Sequence, residues 1–243
     1  MAYGVVVVLV LALMLQWHRY AAVRRVKRWR RGLDLERHEP AFDRLYQPVD
    51  GFSLSRQARQ DGDAPEFVYG EVEFESFVAL LSVCRVDSGT VFYDLGSGVG
   101  KAVVACAMVF RVHRSCGLEL FSGLHVCAEQ QKARLLSLPE YSHLNETIIF
   151  KQGNFLDCSL LDATLVFVNA SAFFGELWDR ISQHLEQVQP GSIVVTTSKA
   201  LRSSQFVTLK ITRVQMSWGY VSAFIQQRRA VQSTPDEIIF SAG

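Results

Sequence analysis

The chain has little of what places a small protein quickly. Its 243 residues hold five cysteines, Cys84, Cys106, Cys116, Cys127 and Cys158. They are odd in number and scattered, with no CxxC pair and no His/Cys spacing of a zinc site. A disulfide scaffold and a zinc ribbon are thereby excluded, and the thiols read as buried groups of a reducing compartment. No internal repeat or low-complexity tract occurs. Charged residues make up 20% of the chain against 49% apolar ones, which excludes a disordered or acidic-tail protein. Acids are absent from the first 31 residues, where seven of the 25 basic residues stand: Arg19, Arg24, Arg25, Lys27, Arg28, Arg30 and Arg31. The other 18 face all 24 acids, so the net charge of +1 joins a basic end to a body of about −6.

Residues 2–15 are uncharged and mostly Val, Leu and Ala, fewer than the ~20 of a comfortable transmembrane helix. No positive n-region precedes them and no A-x-A site follows, which argues against a cleaved signal peptide. The expectation is an N-terminal membrane-anchor helix over 1–17, with Trp17, Tyr20 and Trp29 at headgroup level and the cations of residues 1–31 on anionic lipid. The body then faces the cytosol or an organelle interior, a mitochondrion included. Residues 18–63, with Pro40, Pro48, Gly51 and Gly62, read as a basic juxtamembrane segment and an irregular linker. Residues 64–230 read as the folded domain and 231–243 as a tail.

Within the domain, helix-like and strand-like stretches alternate. Residues 71–83 place Val72, Phe74, Phe77, Val78 and Leu81 along one helical face, and 90–95 form a β-rich run ending in an acid. Residues 99–110 are small and apolar, a helix buried on a sheet. Strands follow at 115–120, 148–152, 164–169 and 192–197, with helices at 122–136 and 174–188. The runs 206–216 and 220–228 close the chain with no helix between them. This order predicts an α/β fold: a mostly parallel sheet covered on both faces, ending in an antiparallel hairpin.

The strongest local signal is DLGSGVG, residues 94–100, between the first strand and the first buried helix. Glycines there let backbone approach a ligand at a helix N-terminus. The dinucleotide fingerprint G-x-G-x-x-G requires glycine where Lys101 stands. An acid at the strand end, Asp94, suits an ammonium group better than a pyrophosphate, and S-adenosylmethionine carries such an ammonium and no phosphate. Glu119 ends the second strand, where a carboxylate accepts ribose hydroxyls. After the third strand, Asn154 and Phe155 offer a polar group and an aromatic face to adenine. Three strand ends in this order indicate a class I (Rossmann-like) methyltransferase fold; the alternative is a nucleotide-binding relative.

These residues also carry a family resemblance. Tyr69-Gly70-Glu71, then VFYDLGSGVG at 91–100, Gly117-Leu118-Glu119, Asn154-Phe155-Leu156-Asp157 and Val166-Phe167-Val168-Asn169 resemble the Dot-type (disruptor of telomeric silencing) histone-lysine N-methyltransferases over residues 65–225. The resemblance implies a seven-stranded methyltransferase sheet, S-adenosyl-L-methionine as donor and a lysine-bearing protein as acceptor. By position, Tyr69 and Glu71 would cover the cofactor, and Asp94, Gly96, Gly98, Gly100 and Lys101 would line its methionine end. Glu119 would take the ribose, and Asn154 and Phe155 the adenine. Asn169 and Phe173 would border the methyl-transfer channel, with Trp218 on the final hairpin.

The chain departs from the family pattern in several places. Lys101 replaces Gln, Asn154 replaces Asp, and Val72 follows the YGE where the family has a polar residue. The family's NNFAF appears as Asn169-Ala170-Ser171-Ala172-Phe173, and Ala223 stands where the family has a channel tyrosine, with Phe224 or Tyr220 as replacements. The expected mechanism aligns a neutral amine with an activated methyl group, in a channel walled by Phe173, Phe224 and Trp218, while the Asn169 amide oxygen orients donor or amine. His113, His125, His143 and His184 have no acid–base constellation around them. The resemblance implies a histone and hence the nucleus, with nucleic acid met only in a nucleosome. The basic end favours a membrane-anchored or mitochondrial lysine methyltransferase of a non-histone protein. A non-catalytic cofactor-binding scaffold is the third expectation.

Overall fold

The computed structural model describes residues 2–60, 62, 64 and 67–230, with the side chains of 2–13 and 15 left out; the expected tail, 231–243, lies outside the described residues. Two compact units are present, Met1–Pro48 and Val49–Gly243.

In the first unit, helix α1 spans Ala2–Gly32, continuing without a break through the seven basic residues. Helix α2, Leu35–Tyr46, buries Leu35, His38, Ala41, Phe42, Leu45 and Tyr46, one face at helical spacing. Arg30 pairs with Glu39 across 2.6 Å. Among the described residues no helix is long and apolar enough to cross a membrane. The anchor expected over 1–17 rests mostly on side chains outside the described residues, and the fold lends it no support.

The irregular linker is a correction. Residues 32–63 contain α2 and a further helix, α3, Gly51–Ala58. Asp50 caps α3, accepting bonds from the Ser53 amide at 2.9 Å and hydroxyl at 2.6 Å. These bonds also hold the Asp50 carboxyl below its usual pKa. Pro40 sits inside α2, so proline content alone did not mark a loop.

The second unit is built on a seven-stranded sheet: β1 Val91–Leu95, β2 Arg114–Glu119, β3 Ile148–Gln152, β4 Leu165–Val168, β5 Ile193–Thr197, β6 Phe206–Met216 and β7 Gly219–Arg228. The order is β3-β2-β1-β4-β5-β7-β6, with the first five strands parallel and β7 antiparallel to both neighbours. Every residue of β1 and β4 is buried. That is why β4 reads as an unbroken apolar run, and β1 as one up to Asp94, rather than as alternating strands. Period two still decides the faces. Phe92 and Phe167 meet Phe77 of helix α4, Phe74–Leu81, at 6.1 and 5.2 Å between ring centroids. Val91, Tyr93 and Leu95 instead share a core with Trp178 and Ile181 of helix α7, Gly175–His184.

Helix α5, Lys101–Val109, buries Ala102 through Met108, so small residues face every direction. Helix α6, Ser122–Leu136, packs on β2, β3 and α3. Four of the five cysteines are buried as free thiols, and burial raises the Cys84 thiol to about 12.

Two helices start later than the sequence pattern suggests. Residues 71–73 are extended: Val72 bridges to Met216, the Ser217 amide donates to the Glu71 carbonyl, and the Glu73 amide donates to Gln215. Helix α4 therefore begins at Phe74. Val99 and Gly100 belong to the turn before α5. Gly100 has φ +85°, and a Cβ on it would stand 2.5 Å from Phe150 Cζ, so helix-to-strand contact requires glycine there.

Candidate active site

The order of the sheet reverses between β1 and β4, and in such sheets ligands bind beyond the carboxyl ends of the strands at the reversal. A cleft of about 350 Å³ opens there, within the range of small-molecule sites. Eleven of the thirteen residues singled out from the sequence line it: Tyr69, Glu71, Asp94, Gly96, Gly98, Lys101, Glu119, Asn154, Phe155, Asn169 and Phe173. Gly100 and Trp218 do not. Gly100 serves the packing of α5 on Phe150. Trp218 lies against Gly70, where a Cβ would come within 1.8 Å of its ring, and is 49% exposed.

Strand ends set the floor. Asp94 and Glu119 are both buried. Glu119 is fixed by backbone, its Oε2 accepting from the Gly98 amide at 2.8 Å and its Oε1 from the Phe121 amide at 2.9 Å. A carboxylate has about four acceptor positions, so both oxygens keep capacity for ligand hydroxyls. Burial raises the Glu119 pKa while the amides of Phe121, Gly98 and Leu120 oppose the rise. Asp94 is raised well above the ordinary carboxylate range, first by burial and then by the neighbouring Glu119 charge. The Gly98 turn, at φ +55°, brings that amide to Glu119 and leaves the loop flat against Tyr69, whose ring would meet a Cβ at 2.7 Å. Asn154 caps the short 3-10 turn Phe155–Asp157, its Oδ1 accepting from the Leu156 amide at 3.0 Å.

Side chains set the roof. Tyr69 donates to Glu71 Oε1 at 2.8 Å, and Lys101 Nζ pairs with Glu71 Oε2 at 2.6 Å. Lys101 sits at the start of α5, where the helix dipole disfavours a cation; Glu71 compensates it. Asn169 departs from expectation. Its amide oxygen accepts from the Thr197 hydroxyl at 2.7 Å and the Ser171 hydroxyl at 2.9 Å, while its Nδ2 donates to the Gly70 carbonyl at 3.3 Å. Both lone pairs of the oxygen are thus engaged within the protein.

The expected channel wall is also corrected. Phe173 lines the cleft and meets Phe155 at 5.9 Å, but Phe224 and Tyr220 do not line it. Phe224 stands opposite Thr196 in the sheet. Tyr220 is 60% exposed, donating to Gln215 under the Arg213 guanidinium. Val72, Phe167, Leu177 and Met216 supply apolar wall instead. Sequence reasoning missed these, together with Ser55 of α3 and Arg180 of α7. Met216 was within reach of a pattern argument, as an inward position of an alternating strand.

The residues fit S-adenosylmethionine. Two buried carboxylates with raised pKa values lack a compensating cation between them, and the buried Ser97 hydroxyl has no hydrogen-bond partner among the described residues. A ligand bringing an ammonium and hydroxyls to that floor supplies what the protein leaves open.

The comparisons agree with this geometry. The family model described as "Histone methylation protein DOT1" matches residues 56–232. A histone-lysine N-methyltransferase, H3 lysine-79 specific, from Kluyveromyces lactis is 31% identical over 209 residues, covering 76% of this chain and 36% of that protein. One of the same description from Caenorhabditis elegans is 27% identical over 179 residues, covering 71% and 19%. The chain spans between 19% and 40% of the length of such relatives. An RNA methyltransferase from Salinibacter ruber, solved with S-adenosyl-L-homocysteine, superposes with a TM-score of 0.52 at 19% identity, over 67% of this chain and 95% of that one; this shows the shared fold. With the family model matching most of its length, the chain belongs to the DOT1 histone-methylation family.

Proposed function

We propose that the protein is a protein-lysine N-methyltransferase that uses S-adenosyl-L-methionine and takes a histone lysine as acceptor. The observation that carries this reading is the convergence of Asp94, Glu119, Asn154 and Phe155 from three successive strand ends on one cleft, in a chain matched by the DOT1 model. Asp94 holds the ammonium of the methionine end, Glu119 the ribose hydroxyls, and Asn154 and Phe155 the adenine. Tyr69, Glu71 and Lys101 close the roof over it.

The bound cofactor supplies an activated methyl sulfonium, so the protein needs to align an amine rather than activate a nucleophile. A lysine amine near pKa 10.4 is mostly charged at neutral pH. Phe173, Phe167, Met216 and Leu177 give the cleft an apolar wall, and desolvation there lowers the amine's pKa toward its reactive neutral form. Trp218 supports this wall indirectly, through Gly70.

Family membership favours the histone, and with it the nucleus, over a membrane or organellar acceptor. The basic helix α1 suits phosphate on a nucleosome as it suits anionic lipid. The catalytic body of this reading begins before α3 rather than at residue 64, because Ser55 lines the cleft.

Transfer of labelled methyl from S-adenosylmethionine to nucleosomes, free histones and a membrane fraction tests the reading. Methyl-lysine recovered from histone after acid hydrolysis is expected, and Asp94→Ala and Glu119→Ala should each weaken cofactor binding in calorimetry by about 100-fold, the scale of a lost charged hydrogen bond in a buried site. Label only on membrane proteins would move the acceptor. Cofactor binding with no label anywhere would establish the scaffold reading.

A further inference from the structure

We propose that Thr197, together with Ser171, is a positioning residue that fixes which face of the Asn169 carboxamide is turned toward Gly70, and so clasps the roof of the cleft to the ends of β4 and β5. The proposal rests on the methyltransferase reading above. Thr197 is fully buried at the end of β5. Its hydroxyl accepts from the Ala170 amide at 3.1 Å and donates to Asn169 Oδ1 at 2.7 Å. A hydroxyl has one proton to give. The Ala170 amide uses a lone pair of that oxygen and leaves the proton free, and Asn169 Oδ1 at 2.7 Å is a nearer acceptor for it than Ser171 Oγ at 3.5 Å.

Ser171 Oγ is the second donor to the same oxygen, at 2.9 Å. Two donors at Oδ1 settle the orientation of the amide: the NH2 group faces away from them, where it reaches the Gly70 carbonyl. Turned over, Asn169 would set its oxygen against the Gly70 carbonyl oxygen, which cannot donate, and would forgo the two bonds the hydroxyls give to Oδ1.

The plainer reading is that Thr197 only satisfies the Ala170 amide at a strand end. Two observations exceed it. The Ser171 hydroxyl continues to Ser198 Oγ at 2.9 Å, and Ser198 has φ +67°, one of three non-glycine residues with positive φ among the described residues. Such a conformation persists where surrounding contacts over-determine it; here the Ser198 amide donates to the Ser222 carbonyl at 2.7 Å. Moreover, the beneficiary of the Asn169 amide lies 99 residues away in sequence. Gly70 precedes Glu71, the partner of Lys101, and underlies Trp218. The hydroxyl pair therefore reaches the cofactor only through Asn169 and Gly70.

A double-mutant cycle tests this, with cofactor affinity by calorimetry and steady-state kinetics read on the full chain. Thr197→Val and Asn169→Ala are each expected to raise the cofactor Kd and KM by about fivefold to tenfold, the scale of one or two neutral hydrogen bonds, with kcat of Thr197→Val, a residue outside the cleft lining, held within about twofold. The double variant should be no worse than either single one, because the two act as a unit. Thr197→Ser should restore wild-type values. Multiplying effects in the double variant, or an unchanged Thr197→Val, would overturn the clasp while leaving the methyltransferase reading intact. Should Thr197→Val fail to fold, Ser171→Ala carries the same cycle, with about a twofold to threefold loss that disappears in the Asn169→Ala background; a loss that persists there overturns the proposal. A wild-type protein that binds no cofactor overturns both readings.

Discussion

The floor and the roof of the cleft are held by different means. On the floor, the amides of Gly96 and Ser97 donate to the Leu118 carbonyl, that of Gly98 to Glu119 and that of Gly153 to the Glu119 carbonyl. Backbone from adjacent strands thus fixes the two carboxylates within a buried sheet. On the roof, Tyr69, Glu71 and Lys101 hold one another through side chains, Asn169 holds Gly70, and Trp218 lies against that glycine. A floor substitution therefore acts on the ligand or on folding as a whole. A roof substitution loosens a segment and leaves the sheet intact.

The largest effect that distinguishes the two belongs to Gly100. An added Cβ would meet Phe150 Cζ at 2.5 Å and Cε1 at 2.9 Å, with φ at +85°. Strain and overpacking together predict that Gly100→Ala destabilises the protein by about 2–4 kcal/mol in denaturant unfolding. A loss below about 0.5 kcal/mol would mean the floor is as yielding as the roof.

Next comes the pH dependence of the floor. The Asp94 pKa is raised above its unfolded value of 3.8. Between the two pKa values the folded state holds a proton that the unfolded chain has released, so stability falls as pH rises through that window. On the proposed reading cofactor binding has the opposite sign, because an ammonium held there would prefer ionised Asp94. Affinity should rise with pH by up to about tenfold per unit below the raised pKa, with proton release on binding. Calorimetry in buffers of different ionisation enthalpy measures that release. In Asp94→Asn it should shrink, and an unchanged release would assign the proton to another group.

On the roof, Glu71→Gln keeps an acceptor for Tyr69 but removes the charge facing Lys101. The pair is only partly exposed, at 22% and 13% for the two side chains. A loss of about fivefold in cofactor affinity is expected, with unfolding stability changed by about 1 kcal/mol or less. An equal or larger fall in stability would show that the roof is part of the cooperative core, and the contrast with the floor would fail.

The same contrast explains what the sequence disclosed. Asp94 and Glu119 lie at the ends of short strands and Asn154 just beyond one, in chain order, so local period and spacing bring them together on paper. The roof has no such period. Glu71 meets Ser217 across 146 residues, and this pairing makes 71–73 extended although Val72, Phe74 and Phe77 look helical. Helix α2 was hidden by Pro40, yet Leu35, His38, Phe42 and Leu45 recur at helical spacing, a signal that outweighed the proline in the fold. The role of Asn169 was half legible. Its place at the end of β4 follows from pattern, whereas the direction of its amide depends on Thr197, a strand away.

The smallest expected effect concerns an aromatic that the sequence offers in place of the missing channel tyrosine. From sequence, Tyr220 and Phe224 were both replacements for the side chain missing at Ala223. In the sheet, Ala223 is fully buried opposite Thr197 and Thr212, Phe224 stands between Thr196 and Ile211, and Tyr220 leaves the strand toward solvent. The Tyr220 ring contributes a hydrogen bond to Gln215 and a contact with Arg213, both exposed. Exposed interactions of this kind are worth a few tenths of a kcal/mol. Tyr220→Ala should therefore leave cofactor affinity and kcat within about twofold, where a channel wall would lose at least tenfold. A large fall in kcat with unchanged cofactor affinity would place Tyr220 against the acceptor, and the hairpin would then count as part of the roof.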